Sequence, residues 1–407
     1  MLSLLLLLQI PVNFGSLWMD PTSMLIPSTW YGQNVRSYPP RILEVDGFRI
    51  PYTSDVSFFF SGSFEAQFDF FSAKFKKKIY NVKKPLTILN SERGYGDYAA
   101  AGFLFKQLYK SASFSIVADY LTDGFRKFSV TNPCFSYGNF SAYYYRFVQD
   151  SSRYFRLFYA SYTGNFQLSG MYGESVGEGR HFFSGFSAGR KSGDYSISLM
   201  GEFLASGENM GKLNFSYKQL HLGLVKPFFK SRVYPEFEYI YRPGKFLIIL
   251  KGLSVDSSSE YRAYSLGGID LGRDLKILAG YGKAYGAGYN NFYAGSVESE
   301  ILWKNWGFRI AGKYFSDTNA SLDSLRLRVK ISYTKSFKRE NSIKIAGIVD
   351  YFGGQSVILS SNLEIMLFRS VFVKVEELNL LLGEYPFEFP ENGERLFRIL
   401  VSARLFD

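Results

Sequence analysis

The sequence predicts an all-β protein: a transmembrane antiparallel β-barrel of about 16 strands, with about 14 or about 18 as alternatives, carrying a short N-terminal plug-like segment. Three observations predict it. Alternating apolar and polar residues fill one segment after another from residue 85 to the end. Aromatics make up 19% of the chain, with 31 Tyr and 41 Phe; these suit pleated surfaces and, for Tyr, the lipid–water interface. Past residue 15 no apolar run approaches the roughly 18–20 residues that a membrane helix needs. Mean hydropathy is −0.07, a soluble-looking value that a barrel produces by hiding its lipid contacts in the alternation.

The chain opens MLSLLLLLQIPVNFGS, an apolar core followed by small residues, which fits the middle of a secretory signal although no Lys or Arg precedes the leucines. Residues 1–16 are therefore expected to be a signal peptide, and residues 17–84 a plug remnant or periplasmic segment. Pro21, Pro27, Pro39, Pro40 and Pro51 break any period there. RILEVDGFRIPY reads as two short strands around the turn Asp46-Gly47, a dipeptide that favours tight hairpins. Further strands are expected in 57–84, ending in a run of lysines (Lys74, Lys76, Lys77, Lys78, Lys83, Lys84) that reads as a solvated turn.

From 85 to 407 the period is two. In LRLRVKISYTKSF, Leu325, Leu327, Val329, Ile331, Tyr333 and Phe337 share one parity, and Arg326, Arg328 and Lys330 share the other. Side chains alternate across a strand, so each set has its own face. SASFSIVADY, RYFRLFYASYTGNFQL, YSISLMGEF, KLNFSYK, LKILAGYGKAY and WGFRIAGKY alternate in the same way. Polar turns are expected at Lys110-Ser111, Asp150 to Ser152, Ser192 to Asp194, Asn305 and Lys338 to Asn341. Longer loops are expected at Gly170 to Gly179, Asp256 to Glu260, Gly286 to Asn291 and Pro386 to Gly393. Long loops at one end and short turns at the other describe bacterial outer-membrane barrels. At about 18–20 residues per strand, residues 85–407 hold about 16 strands. The last, LFRILVSARLF, presents Phe397, Ile399, Val401, Ala403 and Leu405 to lipid, with Phe406 penultimate and out of parity.

The net charge is +11. No recognition motif accompanies it, and most Lys and Arg alternate with apolar residues, so nucleic acid is not an expected partner. A polar lumen is the simpler reading. Arg309, Lys313, Arg326, Arg328 and Lys330 are expected on adjacent strands facing inward, a basic wall that favours anions. Asp119, Glu202, Glu236 and Glu238 are candidates for an opposing acidic wall. No catalytic or metal-binding pattern emerges. Cys134 is the sole cysteine, His181 and His221 read as rim residues, and the pairs Glu236/Glu238 and Glu376/Glu377 read as strand faces. The chain is not expected to be an enzyme or to carry a cofactor. The partners expected are outer-membrane lipid, small solutes and the barrel-assembly machinery.

The segment from Arg41 to Arg126 resembles TonB-dependent receptors. RILEVDGFRIP is similar to a strand of their plug, and KPLTILNSERGYGDYAAAGFLFKQ with SFSIVADYLTDGFR is similar to the opening strands of their barrel. That resemblance implies an outer-membrane channel or uptake barrel for small solutes, to which the basic wall would add a weak preference for anions. It also implies a plug of well over a hundred residues and a 22-stranded barrel, for which this chain is too short, so a reduced relative with a smaller barrel is expected. The family's Arg-Gly-Pro motif is missing. No TonB box is evident between residues 16 and 40, so a TonB-type partner is doubtful. Two other readings are a transporter of hydrophobic molecules of the FadL type, whose Asn-Pro-Ala motif is absent near the N-terminus, and an adhesin or envelope scaffold without transport.

Overall fold

The computed structural model describes residues 42–49, 64–68, 72–77 and 85–405, apart from connecting stretches at 95–97, 124–126, 150–152, 178, 205–208, 229–231, 255–260, 273–274, 286–289, 317–324, 339–340, 353–355, 369, 379 and 381–395. The expected signal peptide, the TonB-box region and Phe406 lie outside the described residues.

Four short strands precede the barrel: β1 (Ile42–Val45), β2 (Phe48–Arg49), β3 (Phe64–Phe68) and β4 (Ser72–Lys77). They form one sheet in the order β2-β1-β4-β3, with β1 and β4 parallel and the other pairs antiparallel. Asp46 and Gly47 carry the β1–β2 turn with φ of 47° and 89°. Asp tolerates that left-handed conformation and Gly adopts it freely, so this dipeptide closes the hairpin.

The barrel strands follow in chain order. The first half comprises β5 (Leu86–Gly94), β6 (Tyr98–Tyr109), β7 (Ala112–Asp123), β8 (Lys127–Tyr137), β9 (Phe140–Gln149), β10 (Arg153–Thr163), β11 (Phe166–Val176), β12 (Arg180–Ser192), β13 (Tyr195–Leu204), β14 (Met210–Tyr217) and β15 (Leu220–Pro227). The second half comprises β16 (Tyr234–Tyr241), β17 (Phe246–Ser254), β18 (Tyr261–Asp270), β19 (Lys276–Tyr285), β20 (Asn290–Trp303), β21 (Trp306–Phe315), β22 (Leu325–Ser336), β23 (Ser342–Phe352), β24 (Ser356–Leu367), β25 (Val371–Leu378) and β26 (Leu396–Leu405). Each pairs antiparallel with its sequence neighbours, and β26 pairs with β5 from Arg398↔Gly94 to Leu405↔Thr87, closing the barrel. Closure satisfies every edge, which a strand wall in hydrocarbon requires.

The closed barrel has 22 strands, not the expected count of about 16. The smaller barrel inferred from chain length is therefore wrong, and the reason is the economy of the turns. Only two residues separate β6 from β7, β8 from β9, β10 from β11, β12 from β13, β14 from β15, and β20 from β21. Some of these turns do not disturb the period. The last ladder pair of the β10–β11 hairpin, Thr163↔Gln167, leaves three residues at the tip. An odd number keeps the outward set on even numbers, so RYFRLFYASYTGNFQL reads as one strand while holding a hairpin. Gly170 to Val176, expected as loop, is strand β11. Its Gly173 is a packing site, because a Cβ there would meet the Phe183 ring at 2.4 Å.

The two faces differ as the alternation requires. Outward residues such as Phe158, Tyr172, Ile197, Leu199 and Ile301 are half exposed, and Tyr109, Tyr137, Trp303 and Phe368 ring the short-turn end. That placement matches an interfacial aromatic girdle. The inward face is not uniformly polar. Across β17–β20, Leu247, Tyr264, Leu266, Leu278 and Phe292 form a buried apolar cluster.

Candidate functional site

The β1–β4 sheet lies inside the barrel, because its residues touch the inward face of strands from β8 to β16. The Asp46 carboxylate accepts hydrogen bonds from the Lys77 backbone N–H (3.1 Å) and from the Tyr143 hydroxyl on β9. The Lys77 ammonium donates to Asn132 Oδ1 on β8 and sits 5.9 Å from the Tyr143 ring centre. Lys77 is therefore tied to the wall rather than part of a solvated turn. Tyr143 stacks on Tyr159 of β10 at 5.1 Å, and Phe48 meets Tyr159 edge-on at 6.3 Å.

Phe48 and Val45 are fully buried. Phe48 lies against Gly185 of β12, where a Cβ would stand 2.5 Å from the ring. Only glycine admits that approach. Next to it, the Arg49 backbone N–H donates to Glu202 on β13 (3.0 Å), and its guanidinium donates to Glu236 on β16 (2.8 Å). Glu236 also pairs with Lys212 on β14 at 2.6 Å. Burial by itself lowers the Arg49 pKa, but the Glu236, Glu202 and Glu44 carboxylates outweigh it and leave it above the ordinary arginine value. Within a few residues the hairpin thus fastens to β9, β10, β12, β13 and β16, along one arc of the wall.

Beside this clamp is a cavity of about 230 Å³. Glu44 and Arg49 form its sheet side; Lys212, His221, Glu238 and Lys251 are among the residues on its wall side. His221 sits exposed at the rim, at the second position of β15, with its Nδ1 2.8 Å from Ser216 Oγ and Glu238 as its ladder partner. Alternating charge of both signs suits a polar or zwitterionic solute better than a hydrocarbon one. Among the described residues, no three metal-ligating side chains come together.

The five residues expected as a basic wall occupy one face of β21 and β22. Arg309 pairs with Lys330, Lys313 with Arg326, and Ala311 with Arg328. This parity is opposite to exposed Phe308, Ile310 and Ile331, so the positions face inward. The wall also holds acids. The Arg328 guanidinium forms a fork with the Asp350 carboxylate on β23, one arm at 2.8 Å. Glu300 and Glu298 on β20 stand opposite Arg309 and Ala311. The side chains of Lys313 and Arg326 lie outside the described residues, as does that of Asp119. Sequence reasoning missed Asp350 and the clamp residues Arg49, Tyr143 and Asn132. The parity of Glu202, Glu236 and Asp350 was visible, but which inward residues meet the sheet depends on its placement in three dimensions.

No family model matches the chain, and no curated protein does. Solved structures do. The siderophore receptor PirA from Pseudomonas aeruginosa superposes with a TM-score of 0.66 at 10% identity, covering 97% of this chain and 98% of that one. The siderophore receptor PirA from Acinetobacter baumannii gives 0.64 at 8%, covering 92% and 91%. The FrpB iron transporter from Neisseria meningitidis gives 0.60 at 10%, covering 92% and 93%. The likeness is one of fold: this chain follows the barrels of those solved structures over nearly its whole length. In this chain the strand number, the closure and the lumenal sheet occur together.

Proposed function

We propose that the protein is an outer-membrane uptake barrel whose lumen is closed by the β1–β4 sheet and which passes small charged solutes when that sheet shifts. The observation that carries this reading is the clamp: Asp46, Phe48, Arg49 and Lys77 fasten the sheet to β8, β9, β10, β12, β13 and β16 inside a 22-strand wall. A porin would leave that space open. A scaffold would not need charged groups aimed at a lumenal cavity. The siderophore and iron receptors that share the fold support uptake as the role. The charged cavity wall argues against the transporter of hydrophobic molecules, which needs an apolar pocket.

Five positions on the inward parity of β21 and β22 carry Arg or Lys, against three that carry the facing acids Glu298, Glu300 and Asp350, which supports a modest preference for anions. Planar-bilayer recording tests both parts. The intact chain should show rare, small conductance steps, and the double variant Asp46→Ala/Arg49→Ala should show large, frequent ones. A steady large conductance from the intact chain would mean an open porin. In a salt gradient the open variant should give a reversal potential of anion-selective sign; a cation-selective sign would remove the anion preference.

A further inference from the structure

The outward wall carries a charged cluster that uptake through the lumen does not use. Arg146 on β9, Arg156 on β10 and Glu174 on β11 are successive ladder partners, and Arg180 opens β12 beside them. They share parity with Phe158, Tyr172 and Phe186, which are about half exposed on the lipid-facing surface. Glu174 is fully covered: Arg156 Nε reaches one oxygen at 2.6 Å, Arg180 reaches the other at 2.8 Å, and the Tyr154 hydroxyl donates at 2.6 Å. Arg156 and Arg180 nonetheless remain 44% and 54% exposed. Arg180 lies over the Phe182 ring at 4.6 Å, and Arg156 over Tyr154 at 5.8 Å. Arg146 is exposed and makes no ion pair among the described residues.

Three guanidinium groups against one carboxylate leave two positive charges on a surface otherwise built for acyl chains. All four charged residues sit at the ends of their strands opposite the two-residue turns, the end that bears the longest connections, 316–324 and 379–395. That end faces outward in barrels of this type. Arginines cost least on a lipid face at the interface, where headgroups begin. Ladder spacing is about 4.8 Å per strand, so the backbones of Arg146 on β9 and Arg180 on β12 stand about 14 Å apart, and the long side chains of Arg156 and Arg180, which converge on Glu174, shorten the distance a phosphorylated headgroup must bridge. Arginine forks match phosphate geometry, and Glu174 fixes two of them in place before any ligand arrives.

We propose that Arg146, Arg156 and Arg180 form an external site for the phosphate of an outer-leaflet lipid headgroup. It is independent of whether a solute crosses the lumen. The test uses the full chain in detergent, titrated with diphosphoryl lipid A and read by native mass spectrometry. Arg146→Ala is the informative variant because it leaves the Glu174 pairs intact. It should weaken binding about tenfold, the loss of one charge-assisted hydrogen bond, and Arg146→Lys should recover part of it. Equal binding by Arg146→Ala and the wild type overturns the site, as does equal binding of the same lipid without phosphates. Displacement of the lipid by millimolar inorganic phosphate would assign the pocket to the free ion and overturn the lipid assignment.

Discussion

Arg49→Ala should loosen the lumenal sheet by about 2 kcal/mol, a value bracketed by the structure. The guanidinium and Glu236 lie 2.8 Å apart with side chains only 13% and 12% exposed, so the pair is worth more than the roughly 0–1 kcal/mol of a surface bridge. Its loss costs less than the roughly 3–5 kcal/mol of an orphaned buried charge, because Glu236 keeps Lys212 at 2.6 Å and the backbone N–H at position 49 still serves Glu202. At about 1.4 kcal/mol per decade, 2 kcal/mol is about a thirtyfold shift toward the undocked sheet. Amide hydrogen exchange within residues 42–49 measures that opening directly. Exchange there should accelerate about thirtyfold while the barrel strands stay protected. Adding Glu236→Gln should contribute little more, since the two groups act as a pair. The sign with pH also follows. A base whose pKa is raised by its docked partners stabilises below the ordinary arginine value and loses that contribution only as pH rises through the raised one. Protection corrected for intrinsic exchange should therefore be the same at about pH 7 and about pH 9. Unchanged exchange in Arg49→Ala, or equal acceleration across the whole barrel, would refute the clamp.

Three further outcomes are expected. Gly185→Ala places a methyl 2.5 Å from the Phe48 ring, so it should displace the sheet and raise bilayer conductance; Phe48→Ala in that background should relieve the clash and lower the conductance again. Asp350→Asn frees the Arg328 guanidinium from its counter-charge and should move the reversal potential further toward anion selectivity, whereas Arg328→Gln should move it back; opposite movements would show that this fork does not line the conducting path. Trp303 and Trp306, exposed at the short-turn rim, should be quenched more by lipids brominated near the headgroup than at the chain end; the reverse order would contradict the girdle.

What the sequence made legible was parity. Leu325 to Ser336 is a twelve-residue strand with Ile331 outward and Arg328 and Lys330 turned in, as its alternation predicts. Asp46-Gly47 is a turn because only a few residue types accept positive φ. What parity could not show was where a strand ends when its turn has the same period as its ladder. The Gly164-Asn165 tip vanished in that way. Lys218 also hid a turn: it holds a φ of 51° in the two-residue connection after KLNFSYK, and lysine is no turn signal, whereas the turns at Lys110-Ser111 and Asn305 stand where they were expected. The clamp was hidden for another reason. Asn132, Tyr143, Glu202 and Glu236 are far apart in sequence and meet only because a separate sheet is placed among them.

The same economy of turns bears on how such a barrel selects what it admits. Twenty-two strands set a wide wall, since diameter grows with strand number. Yet at the end opposite the two-residue turns, β5–β6, β7–β8, β9–β10 and β11–β12 are each joined by three residues, and only 316–324 and 379–395 exceed six. Three-residue connections span too little to reach across a lumen of that girth. The described barrel therefore leaves most of the work of occluding the pore to what lies within it. The sheet held by Asp46, Phe48, Arg49 and Lys77 occupies that position, and the charges it shares with β13, β14 and β16 are where a solute and the sheet would compete for the same partners.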